Sequence, residues 1–315
     1  MSVRRSRLDV GGISSRLIEA APQNGSGAPQ DGSGAPQDGS EDAAPAVTSD
    51  TGRARETMVF LHGNPGSADD WERFVGAVGP RMRALAFDLP DFGETNAPAG
   101  FEHSVPSYMG FFDSALKTLG VERVHLVLHD FGGPIGLAWA AAHLDRVASI
   151  TLIDIGILPG YRWHRMARIW RRPVLGELMQ AITFRSGFRR SLSAAEPRGL
   201  PREFLDRMYD QYDRRTRRAV LELYRATDDP SAGAAEFAAW LATHDIPALV
   251  IWGEHDAYLP SSYAARQRDA FPSAEVNVLP ASGHWPFADS PEIVERLLLE
   301  HVERVASGTG PPAPA

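Results

Sequence analysis

A strand-to-helix turn at residues 127–133 constrains the fold of this chain more than any other feature. It has the sequence Val127-Leu128-His129-Asp130-Phe131-Gly132-Gly133. The apolar run Val124 to Leu128 before it is typical of a buried parallel strand, and the Ala-rich run Ile135 to His143 after it favours a helix. The two glycines allow a tight turn, which would lift Asp130 to the carboxyl end of the sheet. An isolated Asp before a helix is more often an N-cap, so this interpretation depends on the rest of the chain.

The chemistry expected at this turn follows from the residue type of Asp130. A serine at such a position attacks acyl carbons and leaves an acyl-enzyme. A carboxylate is a poor acyl-transfer nucleophile, but it can displace a leaving group from a saturated carbon. Asp130 therefore indicates cleavage of a carbon–halogen bond or of an epoxide carbon–oxygen bond.

Two further residues complete a triad in the chain order nucleophile, acid, histidine. Asp256 follows the apolar strand Ala248 to Trp252, and His284 follows the strand Val276 to Leu279 on a Gly-containing loop. A histidine after the last strand and an aspartate after the preceding one rarely occur together by chance. We predict that Asp256 orients His284 and that His284 acts as the base.

A second acid competes with Asp256 for this role. Asp154 ends the predicted strand Ile150 to Ile153, where some relatives of such folds carry the acid. A structural role at the base of the central insertion is the favoured interpretation of Asp154. Glu254 lies next to Asp256 but would point the other way on an extended turn.

Five motifs in order along residues 57–305 resemble one branch of a known superfamily. They are His62-Gly63-Asn64-Pro65, Asp88-Leu89-Pro90-Asp91-Phe92-Gly93, the Asp130 turn, Trp252-Gly253-Glu254-His255-Asp256 and Gly283-His284. The chain resembles the epoxide hydrolase and haloalkane dehalogenase branch of the α/β-hydrolases. The resemblance implies an α/β-hydrolase fold, with a mostly parallel central sheet flanked by helices and an inserted helical cap. It also implies an oxyanion hole formed by the backbone N–H groups of Asn64 and Phe131.

The resemblance leaves the substrate class open. Asn64 is similar to the dehalogenase residue whose side chain helps to hold the departing halide, but Phe131 stands where dehalogenases carry a Trp that donates an N–H. Trp163 or Trp170 of the cap could supply such a donor, although a Trp in an amphipathic helix more often packs in a core.

Epoxide hydrolases instead use cap tyrosines to protonate the opening oxygen. Tyr224 resembles the second of these tyrosines and Tyr161 is a candidate for the first, with Tyr209 and Tyr212 as further candidates. The sequence therefore favours an epoxide hydrolase-like activity. The first alternative is a haloalkane dehalogenase-like hydrolase, and the second is a non-catalytic ligand-binding protein on the same fold.

The chain divides into segments by composition and pattern. Residues 21–56 contain a repeated seven-residue unit that is rich in Pro, Gly and Ser. A segment of this composition cannot bury enough apolar surface to become ordered. The predicted segments are an N-terminal hairpin (1–20), a disordered low-complexity loop (21–56), the first part of the hydrolase core (57–155), a helical cap (156–245), the second part of the core (246–306) and a disordered tail (307–315).

Composition limits cofactors, partners and location. The 315 residues include no cysteine, which excludes disulfides, thiolate metal sites and thiol catalysis. A formal net charge of −8 argues against a nucleic-acid partner, and the lack of a long apolar run or signal peptide predicts a cytoplasmic enzyme without a membrane partner. We expect no metal or organic cofactor and a small, apolar substrate; oligomeric state is not predicted. Arginine pairs in the cap favour solvated faces beside acidic neighbours, and an anionic substrate is the alternative.

Overall fold

The computed structural model describes residues 3–22, 56–194 and 196–308. Within them, eight strands form one sheet in the order β1-β2-β4-β3-β5-β6-β7-β8. The strands are β1 (Arg4–Val10), β2 (Ile13–Ala20), β3 (Glu56–Leu61), β4 (Arg83–Phe87), β5 (Arg123–His129), β6 (Val147–Ile153), β7 (Ala248–Gly253) and β8 (Glu275–Leu279).

The sheet is antiparallel at one edge and parallel elsewhere. Strands β1 and β2 form a hairpin through Gly11 and Gly12, which both have positive φ angles, as a two-residue hairpin turn requires. β2 pairs antiparallel with β4, and every pair from β4 to β8 is parallel. Every residue of β6 and β7 is buried, because helices cover both faces of a parallel sheet. The predicted α/β-hydrolase fold is confirmed.

Twelve helices surround or cover this sheet in the described residues. Those of the core are α1 (Glu72–Val78), α2 (Val105–Thr118), α3 (Gly132–Ala142), α10 (Ser262–Arg266), α11 (Pro286–Asp289) and α12 (Pro291–Ser307). Those between β6 and β7 are α4 (Arg165–Trp170), α5 (Leu175–Ala181), α6 (Arg185–Ser193), α7 (Arg202–Gln211), α8 (Arg214–Ala226) and α9 (Ala234–Ala242). We call the segment between β6 and β7 the cap.

The predicted low-complexity loop and C-terminal tail fall mostly outside the described residues. Among the described residues, no helix is long and apolar enough to cross a membrane. The parallel strands β5 to β8 all end at the same edge of the sheet, so the loops that follow them meet beneath the cap.

Candidate active site

Asp130 lies on a tight turn between β5 and α3. Its φ angle is +46°, a left-handed conformation that non-glycine residues adopt rarely and often at functional sites. The neighbouring backbone packs against this turn so closely that two glycines are needed. A Cβ atom on Gly132 would lie 2.5 Å from the carbonyl oxygen of Leu61, and one on Gly63 would lie 2.3 Å from the Cβ of Asp130.

Two neighbours hold the carboxylate of Asp130 in its ionised form. The backbone N–H of Asn64 donates to Oδ1 at 2.7 Å, and Nε2 of His284 lies 3.7 Å from Oδ2. Burial alone would raise the pKa of Asp130, but the hydrogen bond and the charge of His284 lower it below its ordinary value. The side chain is therefore a charged, oriented carboxylate at neutral pH.

His284 is bound on its other side to Asp256. Nδ1 of His284 lies 2.7 Å from Oδ2 of Asp256, and Oδ1 of Asp256 accepts the backbone N–H groups of Tyr258 and Leu259. Burial would lower the pKa of His284, but the negative charges of Asp256 and Asp130 raise it well above its ordinary value. The structure thus brings Asp130, His284 and Asp256 into one line of contacts.

Asp154, the alternative acid, lies at the end of β6. It is buried and accepts the backbone N–H of Gly253 at 2.8 Å through Oδ1, while Oδ2 has no hydrogen-bond partner among the described residues. Burial and the negative charge of Asp256 raise the pKa of Asp154 well above its ordinary value. A buried carboxyl that accepts the N–H of Gly253 anchors the end of β7, which is the kind of structural role that the sequence favoured for Asp154.

Two buried residues that the sequence analysis did not single out hold the main chain of His284. Nε2 of His129 lies 2.9 Å from the carbonyl oxygen of His284, and burial lowers the pKa of His129 to about 3, so this ring is neutral. The backbone N–H of His284 donates to Oε1 of Glu196 at 2.9 Å. Burial and a hydrogen bond with Asp289 raise the pKa of Glu196 to about 8. Glu196 comes from the cap, so this contact ties the cap to the loop that carries His284.

A cavity of about 510 Å³ separates these residues from the cap. Asp130, Phe131 and His284 contribute to its wall from the core, and most of its other lining residues are apolar or aromatic. No Arg or Lys is among the described residues that line it. This composition suits an apolar ligand and gives no support to the alternative of an anionic substrate.

The cap tyrosines differ in what their hydroxyl groups contact. Tyr224 and Tyr161 both line the cavity, but the Tyr161 hydroxyl donates to the carbonyl oxygen of Tyr258 at 3.2 Å. Tyr212 also lines the cavity, and its hydroxyl accepts from Gln180 at 2.7 Å. Tyr209 lies outside the set of lining residues and donates to Thr183 at 3.5 Å.

His164 determines the orientation of the Tyr224 hydroxyl. Nδ1 of His164 accepts the backbone N–H of Ala167, and burial lowers the pKa of His164 to about 4, so the neutral ring carries its proton on Nε2. That nitrogen lies 3.4 Å from the Tyr224 hydroxyl and donates to it. The Tyr224 proton is therefore free for a ligand. Burial and the charge of Asp130 raise the pKa of Tyr224 well above its ordinary value.

Two N–H donors on the cavity wall lack partners. Nε1 of Trp163 and the side-chain amide of Asn64 are buried and make no hydrogen bond of ordinary length with the described residues, although Asn64 lies close enough to the Tyr224 hydroxyl to lower its pKa. The Trp163 ring stacks against Phe131 with 6.3 Å between ring centroids, so a cap indole lies next to the residue that follows Asp130. Trp170 also lines the cavity.

The sequence model of the α/β-hydrolase fold family matches residues 56–291, about three quarters of the chain. This chain belongs to the α/β-hydrolase fold family. A 2-hydroxy-6-oxononadienedioate/2-hydroxy-6-oxononatrienedioate hydrolase from Paraburkholderia phymatum is 26% identical over 80% of this chain and 88% of its own. A cis-3-alkyl-4-alkyloxetan-2-one decarboxylase from Xanthomonas campestris is 26% identical over 79% of this chain and 89% of its own.

Solved structures of other proteins share the fold of this α/β-hydrolase. A haloalkane dehalogenase from Bradyrhizobium elkani superposes with a TM-score of 0.75 at 19% identity, covering 98% of this chain and 100% of its own. An epoxide hydrolase from Vigna radiata, solved as a mutant, superposes with a TM-score of 0.71 at 18% identity, covering 96% and 99%. These neighbours share the α/β-hydrolase fold of this chain.

Proposed function

We propose that this hydrolase opens an epoxide through a covalent ester on Asp130. One observation carries the proposal: the core supplies an ionised carboxylate to the cavity, and the cap supplies the Tyr224 hydroxyl with its proton free. Opening an epoxide needs a nucleophile for the carbon and a proton for the oxygen. Tyr161 lacks the second property, because its proton is already donated to a carbonyl oxygen.

In the first step, an oxygen of Asp130 attacks a ring carbon and the ring carbon–oxygen bond breaks. The departing alkoxide takes the proton of Tyr224. The lowered pKa keeps Asp130 ionised, and the raised pKa of Tyr224 keeps its proton in place until an alkoxide, a stronger base than phenolate, is formed.

In the second step, His284 takes a proton from a water molecule that attacks the carboxyl carbon of the ester. Forming the ester removes the negative charge of Asp130, which is one of the two charges that raise the pKa of His284. The pKa of His284 therefore falls as the intermediate forms, so the ring can lose its proton to solvent and accept one from the attacking water in its neutral form. We expect the backbone N–H groups of Asn64 and Phe131 to stabilise the oxyanion, and His284 to return its proton to the departing diol. The proton released as Asp130 becomes a carboxylate again restores Tyr224.

The test is to trap the ester. His284→Gln should still react once with a small epoxide such as styrene oxide and then accumulate an adduct on the peptide that contains Asp130. Intact-mass measurement and peptide mapping detect it. An adduct on a serine, or the lack of any adduct with an epoxide that the wild type turns over, contradicts the proposal.

A second candidate is haloalkane hydrolysis, which the two unpartnered N–H donors favour. Trp163 and Asn64 could hold a halide together, in place of the Trp that is missing at position 131. Halide release from bromoalkanes by the wild type tests this candidate, and Phe131→Trp should raise that release by adding a donor. If the wild type releases halide rapidly and opens no epoxide, the dehalogenase activity replaces the epoxide proposal.

The relatives suggest one more compound for the same assay. The Xanthomonas campestris relative is named for an oxetan-2-one, a strained oxygen ring that also contains a carbon–oxygen bond at a saturated carbon. An oxetan-2-one therefore belongs beside the epoxides and bromoalkanes. If no compound reacts and none labels Asp130, both proposed activities fail and the non-catalytic ligand-binding alternative is favoured.

A further inference from the structure

The cap exposes an unusual amount of apolar surface in one place. Eight large apolar side chains are exposed among the described residues, and five of them lie between residues 174 and 184. We call these five the cap apolar patch: Val174 (79% exposed), Leu175 (37%), Leu178 (55%), Ile182 (55%) and Phe184 (63%). Val174, Leu178 and Ile182 are four residues apart, so they form one stripe along α5 and its ends.

This patch borders the entrance of the active-site cavity. Ile182 and Phe184 line the cavity and are also more than half exposed to solvent. They are therefore part of the cavity wall where it meets the protein surface. Apolar surface continues from the outside of the cap into the cavity, where Met179 also lies.

Positive charge is concentrated around the same patch. Residues 162–190 contain eight arginines and a single acidic residue, Glu177, in a chain whose formal net charge is −8. Glu177 is paired with Arg225. Five of the eight arginines are exposed and make no ion pair with the described residues: Arg162, Arg165, Arg168, Arg172 and Arg190. The other three, Arg171, Arg185 and Arg189, pair with aspartates elsewhere in the cap, so the excess positive charge rests on these five.

We propose that the cap apolar patch and these arginines dock on the surface of a bilayer that contains anionic lipids. Exposed apolar residues beside Arg, on a short helix, are what an interfacial membrane-binding segment requires. Anionic headgroups attract the arginines, and the apolar side chains enter the boundary with the acyl chains. An apolar substrate could then pass from the bilayer into the cavity, a consequence that rests on the proposed function.

Other occupants fit these observations less well. A symmetric dimer through this face would bring the arginines of one copy close to those of the other, which is unfavourable. A nucleic acid would neutralise the arginines but would leave the five large apolar side chains exposed to water. Docking on a bilayer differs from our expectation of no membrane partner. That expectation rested on the lack of an apolar span, and the sequence alone does not show where the folded chain exposes apolar groups.

Sedimentation with vesicles tests the proposal without any need for turnover. The full-length protein should bind phosphatidylcholine vesicles that contain phosphatidylglycerol, and bind pure phosphatidylcholine at least about tenfold more weakly. The variant Leu178→Ser/Ile182→Ser/Phe184→Ser should lose at least about tenfold in binding to the anionic vesicles. The variant Arg165→Gln/Arg168→Gln/Arg172→Gln should bind them more weakly as well.

Matched controls change the same kinds of side chain elsewhere. Trp240→Ser/Ile293→Ser removes exposed apolar residues, and Arg81→Gln/Arg123→Gln/Arg296→Gln removes exposed arginines of the core; both should bind as the wild type does. Each variant must first melt as cooperatively as the wild type by circular dichroism.

Three results would overturn the proposal. One is a lack of binding to any vesicle, and another is equal binding by the patch variant and its control. The third is a wild-type dimer, seen by light scattering, that the patch variant converts to a monomer while vesicle binding is unchanged; a second copy is then the occupant. Because none of these readouts involves catalysis, failure here is distinguishable from failure of the epoxide proposal.

Discussion

Tyr224 and Tyr161 face the same cavity, and their hydroxyl groups make opposite kinds of contact. The Tyr224 hydroxyl accepts from Nε2 of His164, whereas the Tyr161 hydroxyl donates to the carbonyl oxygen of Tyr258. A hydroxyl that already receives a hydrogen bond is a better donor of its own proton, because hydrogen bonds in a chain polarise one another. At the scale of single residues, we expect this difference to decide which tyrosine acts as the acid.

The matched pair Tyr224→Phe and Tyr161→Phe tests this difference. Tyr224→Phe should slow formation of the alkyl-enzyme from an epoxide by about 10- to 10⁴-fold, the usual range for a positioned general acid. Tyr161→Phe should have a much smaller effect on that step. Stopped-flow measurement under single-turnover conditions gives both rates. Equal rates for the wild type and Tyr224→Phe would remove Tyr224 from the mechanism.

At the scale of elements, one side chain of the cap is inserted against the loop after β8. Glu196, between α6 and α7, accepts the N–H of His284, and Asp289 of α11 lies against it. Asp289 in turn accepts the N–H of Gly283 and the hydroxyl of Ser282. A proton on Glu196 allows the two carboxyl groups to lie together, and its loss places two negative charges side by side.

Stability should depend on pH through Glu196 in a definite direction. The pKa of Glu196 is about 8 in the folded protein against an ordinary value of 4.5. Between these values the folded state keeps a proton that the unfolded state has lost, so the stability that this group contributes is lost as pH rises toward 8. Glu196→Gln keeps the hydrogen bonds without the titration.

Melting curves of the wild type and Glu196→Gln, recorded from pH 5 to 9, test this prediction. The difference in Tm between the two proteins should grow in favour of the variant as pH rises to about 8 and then level off. Comparing the two proteins cancels the contribution of other titrating groups, such as Asp154 and His164. Parallel pH profiles would show that Glu196 does not carry the proton.

The elements that frame the site were predictable because parallel strands are continuous apolar runs. The predicted strand Ala248 to Trp252 corresponds to β7 (Ala248–Gly253), and the predicted strand Val124 to Leu128 corresponds to β5 (Arg123–His129). The family motifs follow such strands, so the sequence also indicated that Asp130, Asp256 and His284 would meet. The structure brings them together, and their catalytic roles remain predictions.

The contributions of the cap were not predictable in the same way. Glu196 and His164 carry no motif, and their contacts with His284 and Tyr224 arise only when the cap folds over the core. The sequence likewise could not separate Tyr161 from Tyr224, because the difference is a hydrogen bond to a distant carbonyl group. Nor could it show that the arginines lie outside the cavity wall.

At the scale of the whole molecule, the end of β2 and the start of β3, which residues 23–55 connect, lie at the same edge of the sheet. Ala20 pairs with Ala84 and Thr57 with Arg83, so the end of β2 and the start of β3 lie on either side of the start of β4. Two strand spacings separate them, roughly 10 Å. A linker of about six residues can span that distance.

We therefore expect that residues 23–55 can be replaced by a six-residue Gly/Ser linker without loss of function. The shortened protein should keep its Tm and its turnover of the best epoxide within about twofold, because the described residues of the site all lie in the core or the cap. Differential scanning calorimetry and initial rates check this. A large loss of turnover with an unchanged Tm would assign that segment a role in the reaction.

The covalent ester on Asp130 is the central claim, and isotope transfer tests it most directly. A single turnover with excess wild-type enzyme in H₂¹⁸O, followed by peptide mapping, locates the oxygen of the attacking water. The two-step reaction predicts one ¹⁸O atom in the carboxylate of Asp130 and an unlabelled diol, with Asp130→Asn forming no diol as the control. A labelled diol with an unlabelled Asp130 would show that water attacks the substrate directly and would contradict the account.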